Sequence, residues 1–263
     1  MKIVRAVFRP IWKIWFVICF LFPFLVLFPA FYLALWGKKF WLVFKLKRVW
    51  SRLIAIGSGL FPRIRYQNKK YDLPHPCVVV SNHTSYLDIV FSTYYIKDTA
   101  VYMGKYELLK IPLFRFFFVF LDIPVNRGSL TDAHRAFREA GNRLDQGLTM
   151  VIYPEGTISS SGKLRPFKNG AFKLAVEKQV PLVPVVNLNN WHYLQNGGFF
   201  KSLGGPGIPE ILVGDPISTV GLTEKNVPEL KEKVTTFMKQ ELERFNGRDH
   251  NKNGGRDSSP GET

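Results

Sequence analysis

The sequence predicts an α/β protein with a mixed, largely parallel sheet covered by helices, together with an N-terminal membrane-embedded helical segment. Short β-branched runs alternate with amphipathic helical patterns from Arg63 onward, and this alternation is typical of sheets with helices packed on their faces. An uncharged apolar run precedes that region. The net charge of +16 at pH 7 favours an anionic partner: membrane lipid, nucleic acid or an acidic protein.

The apolar run covers residues 14–36, and its roughly 23 residues are enough to span a hydrocarbon core. Pro23 and Pro29 interrupt it, and basic residues flank both ends. We expect a broken helical hairpin that dips into one leaflet, because prolines suit a bend and positive flanks suit two cytoplasmic ends. A single span is the alternative. A cleaved signal peptide is disfavoured, since no small-residue cleavage site follows.

Residues 40–60 alternate basic and apolar side chains at helical spacing. The apolar positions are Trp41, Phe44, Val49, Leu53 and Ile56. This pattern indicates an interfacial amphipathic helix, and an ordinary packed helix fits it about equally well. We therefore place a membrane and interfacial segment at residues 1–60 and the α/β domain at residues 61–245.

Within the α/β domain, apolar runs predict six strands, and helical periodicity predicts three helices. The strands are expected at 77–81, 100–104, 119–125, 149–153, 182–188 and 210–213, and the helices at 131–146, 169–179 and 227–245. Residues 246–263 are rich in Gly, Asn, Asp and Ser and have almost no apolar residues. We expect this tail to be disordered.

The predicted strand at Val78–Val80 leads into a polar turn that carries His83, and Asp88 follows five residues later. Five residues on a regular helix separate two side chains by about 140°. The pair therefore meets only if His83 lies in a turn and Asp88 in the first turn of the next helix. Asp88 would then hold one ring nitrogen and leave the other to accept a proton from a substrate hydroxyl. Alone, this spacing more often belongs to a structural histidine.

Ser85 lies between these two residues and is better explained as a cap of the following helix than as a nucleophile. The sequence has no GxSxG elbow, which a nucleophilic serine in an α/β hydrolase would need. Cys19 and Cys77 are interpreted as structural thiols, because two cysteines cannot form a disulfide framework. No CxxC or HExxH is present, so no metal site is expected.

Charged residues follow three other predicted strands. Lys105 and Arg127 each come after one of them, and Glu155, Gly156 and Thr157 come after a third. Open α/β sheets bind ligands in the crevice at the carboxyl ends of their strands, and a Lys with an Arg there suits a phosphate. Each is more often a surface residue when taken singly. Jointly with the histidine, they predict a site at one edge of the sheet.

Five segments in order resemble those of the glycerolipid acyltransferases, in particular the bacterial 1-acyl-sn-glycerol-3-phosphate (lysophosphatidate) acyltransferase family. The first has that family's HxxxxD pattern, the second its lysine segment, and the other three its second, third and fourth motifs. The segments are 82–88, 103–108, 123–128, 153–157 and 180–185. The third motif usually continues with Arg after the Thr, and this chain has Ile158 there.

The resemblance implies an enzyme that moves an acyl chain from acyl-CoA or acyl carrier protein to the sn-2 hydroxyl of lysophosphatidate. His83 would be the general base and Asp88 its orienting partner, with no covalent intermediate, metal or bound cofactor. Lys105 and Arg127 would hold the acceptor phosphate. Glu155, Gly156 and Thr157 would shape the acceptor site, and Gly156 would offer it a free backbone N–H.

The expected partners are a lysophospholipid, the acyl donor and an anionic membrane, not nucleic acid. The expected location is the inner (cytoplasmic) membrane, with the active site facing the cytoplasm. Two other readings stay open. Ile158 motivates a different lyso-lipid acceptor, such as a lyso-amino-acid lipid. A non-catalytic lipid-binding relative would keep the fold without the chemistry.

Overall fold

The structure, a computed structural model, describes residues 2–126 and 128–254. The helices are α1 (Lys2–Trp36), α2 (Phe40–Ser58), α3 (Leu87–Ser92), α4 (Pro112–Phe120), α5 (Leu130–Asp145), α6 (Gly170–Lys178), α7 (Asn190–Tyr193) and α8 (Val227–Gly254). The strands are β1 (Arg63–Tyr66), β2 (Val78–Ser81), β3 (Ala100–Lys105), β4 (Ile123–Val125), β5 (Thr149–Ile152), β6 (Leu182–Asn187) and β7 (Glu210–Val213).

The strands form one sheet in the order β1-β7-β6-β2-β5-β3-β4. The five strands from β6 to β4 are mutually parallel, whereas β7 pairs antiparallel with β6 and β1 runs parallel to β7. The predicted fold class, a mixed and largely parallel sheet covered by helices, is confirmed. Because β2, β3 and β5 end at one edge, the polar residues after them lie along a common crevice.

Each face of the sheet is covered by a hydrophobic cluster. Val78 and Val80 point to one cluster, which contains apolar residues of α5, α6 and α8. Val79 points to the other, with residues of α2 and α3. This alternation follows from the two-residue period of a strand. Burial on both faces explains why β2 is an unbroken β-branched run instead of an apolar–polar alternation.

The expected break within residues 14–36 is wrong. Helix α1 is continuous through Pro10, Pro23 and Pro29, and the hairpin turn lies at residues 37–39, between α1 and α2. Contacts between the two helices offset the lost proline hydrogen bonds, and they include three indole N–H groups that donate from one helix to the other. Trp15 donates to Gly57 O at 2.7 Å. Trp12 donates to Ser58 O at 3.0 Å and Trp50 to Phe20 O at 2.8 Å.

One segment among the described residues, Phe8–Trp36, is long and apolar enough to cross a membrane by length and composition. Helix α2 has features of both expected arrangements, the interfacial amphipathic helix and the ordinary packed helix. Its Phe44 is buried in the core, whereas Trp41, Val49, Leu53 and Ile56 are exposed. The hairpin thus packs on the α/β domain with one side and presents apolar side chains on the other.

Several observed elements differ from the prediction. Residues 119–120 belong to α4, because Pro112 starts a helix and Phe117 packs on Phe31 of α1 with ring centroids 5.3 Å apart. The edge strand β1, which pairs with β7, has a basic–apolar pattern and was not predicted. Helix α8 continues to Gly254, so the disorder expected from residue 246 is wrong for 246–254. Extending an existing helix needs no new nucleus. Residues 255–263 lie outside the described residues.

Candidate active site

The central strand β2 delivers His83 to the crevice edge of the sheet. The strand ends at Ser81, a turn follows, and α3 begins at Leu87. Asp88, in the first turn of α3, reaches back so that its Oδ2 lies 2.9 Å from His83 Nδ1. The contact predicted from the strand, turn and helix pattern is therefore present.

Asp88 is fully buried, and each of its two oxygens has at least one donor. Oδ2 also accepts the backbone N–H groups of Thr84 at 2.7 Å and Ser85 at 2.9 Å. Oδ1 accepts Nδ2 of Asn190 at 2.8 Å. A carboxylate held this way is an acceptor only, so the imidazole proton is assigned to Nδ1. The lone pair of His83 Nε2 is then free for a substrate proton.

Asparagines at the ends of β2 and β6 support this pair. Asn82 Nδ2 donates to Asn187 O at 3.0 Å, and Asn187 N donates to Asn82 Oδ1 at 2.7 Å. Asn190 Nδ2, which holds Asp88, also donates to Asn187 Oδ1 at 3.0 Å. The sequence reasoning missed these residues. The run Asn187-Leu188-Asn189-Asn190, which spans the end of a predicted strand, was the signal available.

Glu155 braces the backbone of His83. Its Oε1 accepts His83 N at 2.8 Å and its Oε2 accepts Arg165 N at 3.2 Å. The His83 ring also stacks on Tyr153, with centroids 4.1 Å apart. Both oxygens of Glu155 are therefore engaged by protein backbone, and its described contacts hold the turn that carries the base.

The backbone N–H of Gly156, expected to be free, donates to Tyr153 O at 3.0 Å. That expectation is wrong, because the chain turns back immediately after Glu155. Gly156 has φ of +75°, in the left-handed region that glycine adopts without a Cβ penalty. Its role is to make this turn. Thr157 and Ile158 follow it and line the cavity described below.

Burial raises the pKa of Glu155 to about 7 from an ordinary 4.5. In the unfolded chain this carboxyl loses its proton near pH 4.5, whereas in the folded chain it keeps the proton to about 7. We therefore expect the free energy of unfolding to fall as pH rises between these values and to level off above them. Denaturant unfolding of the wild type and Glu155→Gln from pH 4 to 8 tests this. An unchanged pH slope in Glu155→Gln would contradict it.

Two lysines lie near the same turn. Lys105, the last residue of β3, has a largely exposed side chain that pairs with Glu107 at 2.9 Å and lines the cavity. Lys168 Nζ would stand 3.5 Å from a Cβ built on Gly156, which places its ammonium beside that turn. Arg127, also predicted for the site, lies outside the described residues.

A cavity of about 700 Å³ runs from the histidine under the N-terminal hairpin. Its walls are mostly apolar and include Phe20 of α1, Trp50 of α2 and Val90 of α3. The ion pair of Lys47 and Asp122 also lines it. The cavity thus connects the polar edge of the sheet with an apolar interior.

The strand register locates the Lys47–Asp122 ion pair relative to His83. Asp122 Oδ1 accepts Tyr102 N at 3.0 Å, Tyr102 pairs with Val151, and Val151 pairs with Val79. Val79 precedes His83 by four residues, which comprise the rest of β2 and the start of the turn. The ion pair therefore lies well back from the histidine.

Ser85 is not arranged as a nucleophile. Its buried hydroxyl donates to Leu194 O at 2.7 Å and accepts Leu87 N, the first residue of α3, at 3.1 Å, although the cap residue of α3 is Tyr86 and not Ser85. Within residues 2–126 and 128–254, no group of three or more His, Cys, Asp or Glu side chains could hold a metal ion.

Comparisons with known proteins agree with one another. Residues 63–187 match the family described as Acyltransferase. A 1-acyl-sn-glycerol-3-phosphate acyltransferase of Haemophilus influenzae is 31% identical over 175 residues, which cover 63% of this chain and 68% of that protein. The human beta form is 38% identical over 171 residues, covering 62% of this chain. The match spans 60% of the human beta form's length and 57% of the mouse alpha form's length.

One solved structure is similar over nearly its whole length. The crystal structure of the 1-acyl-sn-glycerophosphate (LPA) acyltransferase PlsC from Thermotoga maritima superposes with a TM-score of 0.69 and 25% sequence identity. The superposition covers 93% of this chain and 98% of that one, so it includes the N-terminal helices as well as the sheet.

Proposed function

The chain belongs to the acyltransferase family that includes the 1-acyl-sn-glycerol-3-phosphate acyltransferases, and we propose that it acylates the sn-2 hydroxyl of lysophosphatidate to give phosphatidate for phospholipid synthesis. The observation that carries this proposal is the 2.9 Å contact between His83 Nδ1 and Asp88 Oδ2 beside an apolar cavity that His83 lines. A general base next to an apolar cavity suits a substrate with one reacting hydroxyl and long acyl chains.

In the proposed reaction, His83 Nε2 removes the proton from the acceptor hydroxyl as its oxygen attacks the thioester carbonyl carbon. A new C–O bond forms, the C–S bond breaks, and the proton on Nε2 goes to the leaving thiolate. Asp88 keeps the other ring nitrogen protonated and stabilises the imidazolium. The thioester is already activated, so positioning and proton transfer supply the catalysis. No covalent acyl-enzyme, metal or bound cofactor takes part in this proposal.

The acceptor phosphate is proposed to contact Lys105 and Arg127. Lys105 lines the cavity, and its present partner Glu107 is a surface pair of the kind that contributes little stability, so a phosphate can compete for it. Lys168, beside Gly156, is a third cation in reach of this edge. Thr157 borders the acceptor on the cavity wall, while Glu155 and Gly156 shape the site through the turn that they build.

The acyl donor is proposed to be acyl-CoA or acyl carrier protein, whose chain would lie in the apolar cavity. The formal net charge of +16 suits both the phosphates of CoA and an acidic carrier. The apolar helix α1 indicates membrane association. We propose that the hairpin holds the chain on an anionic bilayer, at the inner membrane with the active site facing the cytoplasm.

Thiol release from acyl-CoA tests the proposal most directly. We expect thiol release that depends on lysophosphatidate and yields phosphatidate with the new ester at sn-2. The assay is repeated with acyl carrier protein as the donor and with lyso-lipids without a phosphate as acceptors. Together these reactions form a matrix of donors against acceptors. A chain that binds lysophosphatidate but releases no thiol with any donor would favour the non-catalytic lipid-binding relative instead.

Removing the proposed phosphate contacts should affect one substrate selectively. We expect Arg127→Ala, and to a smaller degree Lys105→Ala, to raise the acceptor KM about tenfold, as loss of a charge-assisted hydrogen bond predicts. The donor KM should change far less. Steady-state kinetics with each substrate varied in turn measures both constants. Lys225→Ala, an exposed change remote from this edge, is the matched control. Equal effects on both KM values would contradict a phosphate contact.

Ile158 favours a second candidate acceptor. It lines the cavity at the position where the resembled motif has an arginine, so the site presents an apolar side chain instead of a cation there. A lyso-lipid with a different head group, such as a lyso-amino-acid lipid, is the corresponding alternative. A higher kcat/KM for that acceptor than for lysophosphatidate in the same matrix would select it.

A further inference from the structure

A short loop beside the cavity exposes two adjacent phenylalanines. The loop comprises residues 196–202, and we call Phe199–Phe200 its tip. Phe200 is 74% exposed, and its ring contacts that of Phe199 edge-on with centroids 5.2 Å apart. A basic residue, Lys201, follows directly. Aromatic and basic side chains side by side are typical of the membrane–water interface.

The loop is ordered by contacts on both sides of the tip. At its base, Gln195 N donates to Leu203 O at 3.0 Å, and Leu203 N donates to Gln195 Oε1 at 2.8 Å. Beyond the tip, Ser202 N donates to Gly198 O at 2.9 Å. These hydrogen bonds close the turn and hold the two rings of the tip in their exposed position.

Helix α1 holds this loop through Lys13. The buried ammonium of Lys13 donates to Phe199 O at 2.7 Å, Ser202 O at 2.8 Å and Ser202 Oγ at 2.7 Å. A Cβ on Gly204 would stand only 2.8 Å from Lys13 Cε, so the helix and the segment that follows the loop lie in close contact. The tip is thus fixed against the apolar helix.

Both of these elements line the cavity. Val17 and Leu21 lie one and two helical turns beyond Lys13 on the same face of α1; both line the cavity and are partly exposed. Gly197 and Phe199 line it from the loop side. The base of the loop also reaches the catalytic turn, because Ser85 Oγ donates to Leu194 O.

We propose that the Phe199–Phe200 tip enters the same lipid leaflet as the exposed side of α1, so that the cavity opens onto lipid between them. The exposed apolar surface of α1 continues into the tip, and a contiguous patch of this kind marks an interaction surface. Lys201 beside the tip suits anionic head groups. The inference rests on the proposed membrane association but adds a second, separate point of insertion.

Site-specific labelling tests this insertion in the full-length chain. An environment-sensitive fluorophore is attached at Phe200→Cys, and the protein is mixed with vesicles of phosphatidylethanolamine and phosphatidylglycerol. We expect a blue shift of the emission and loss of quenching by aqueous iodide. The wild type, labelled in parallel, measures background from Cys19 and Cys77, both of which are buried.

Val220→Cys is the matched control. Val220 is 76% exposed, and the next residue, Gly221, donates to Gln179 Oε1, which places it near the start of β6, at the edge opposite His83. We expect its label to keep its emission and its quenching when vesicles are added.

A label at residue 200 that behaves like the control while the protein floats with vesicles would overturn insertion of the tip and leave membrane association intact. Failure to float would overturn both. Thiol release in detergent micelles reports the proposed reaction independently of either result.

Discussion

Replacement of His83 by alanine is expected to lower kcat by about 10²–10⁴-fold, the usual contribution of a positioned general base. The His83 side chain supplies the Nε2 lone pair that accepts the proton of the acceptor hydroxyl, while Asp88 holds the other ring nitrogen. The fold should persist, because Asp88 keeps its bonds to the backbone N–H groups of Thr84 and Ser85 and to Asn190. Thiol release measures the loss, and far-UV circular dichroism with vesicle flotation measures folding and binding.

His134→Ala is the control for a lost histidine. His134 is exposed on α5 and has no role in the proposed reaction, so this variant should keep wild-type turnover. Near wild-type turnover in His83→Ala, with the product still esterified at sn-2, would exclude the base mechanism. Positioning of the two substrates would then account for the rate of acyl transfer without a general base.

Replacement of Lys47 by methionine is expected to cost about 3–5 kcal/mol of unfolding free energy, the usual effect of leaving one member of a buried ion pair uncompensated. The Lys47 and Asp122 side chains are 10% and 9% exposed, and Nζ lies 3.1 Å from Oδ2. The ammonium also lies 4.8 Å from the Phe117 ring centroid. Methionine keeps the aliphatic packing, so the loss isolates the charge. Denaturant unfolding in detergent measures it.

The double variant Lys47→Met/Asp122→Asn should recover most of this loss. Asparagine keeps an oxygen for the Tyr102 N–H, and no unpaired charge is left in the core. Lys97→Met is the matched control, since Lys97 pairs with Asp72 on the exposed surface, where the loss should be below about 1 kcal/mol. Equal losses in Lys47→Met and Lys97→Met, or no recovery in the double variant, would contradict the buried-pair account.

The sequence was most informative where structure is local. The contact of His83 with Asp88 follows from a strand, a turn and a helix start within eleven residues, and each has its own residue pattern. Asn190, which completes the site, lies 102 residues from Asp88. No periodicity in a single sequence joins two such residues, so only the pairing of β2 with β6 brings them together.

Elsewhere, tertiary packing outweighed local rules. Pro23 and Pro29 predicted a bend in α1, but Phe24 and Phe31 on the same helix bury against Phe117 with centroids 6.2 and 5.3 Å apart, and the helix stays continuous. Glu155 was expected to shape the acceptor site, and the structure shows two backbone N–H groups donating to its oxygens. Backbone donors have no signature in sequence, so the use of that carboxylate could not be read from residue types.

The N-terminal hairpin shares its core with the sheet. Phe24, Phe31 and Leu35 of α1 belong to the same cluster as Val78 and Val80 of β2, while Phe44 and Ile54 of α2 belong to the cluster around Val79. A chain shortened to the sheet and its other helices would therefore expose both clusters and lose a wall of the cavity. The α/β domain and the N-terminal hairpin therefore form one folding unit, and we expect the sheet without the hairpin to be insoluble.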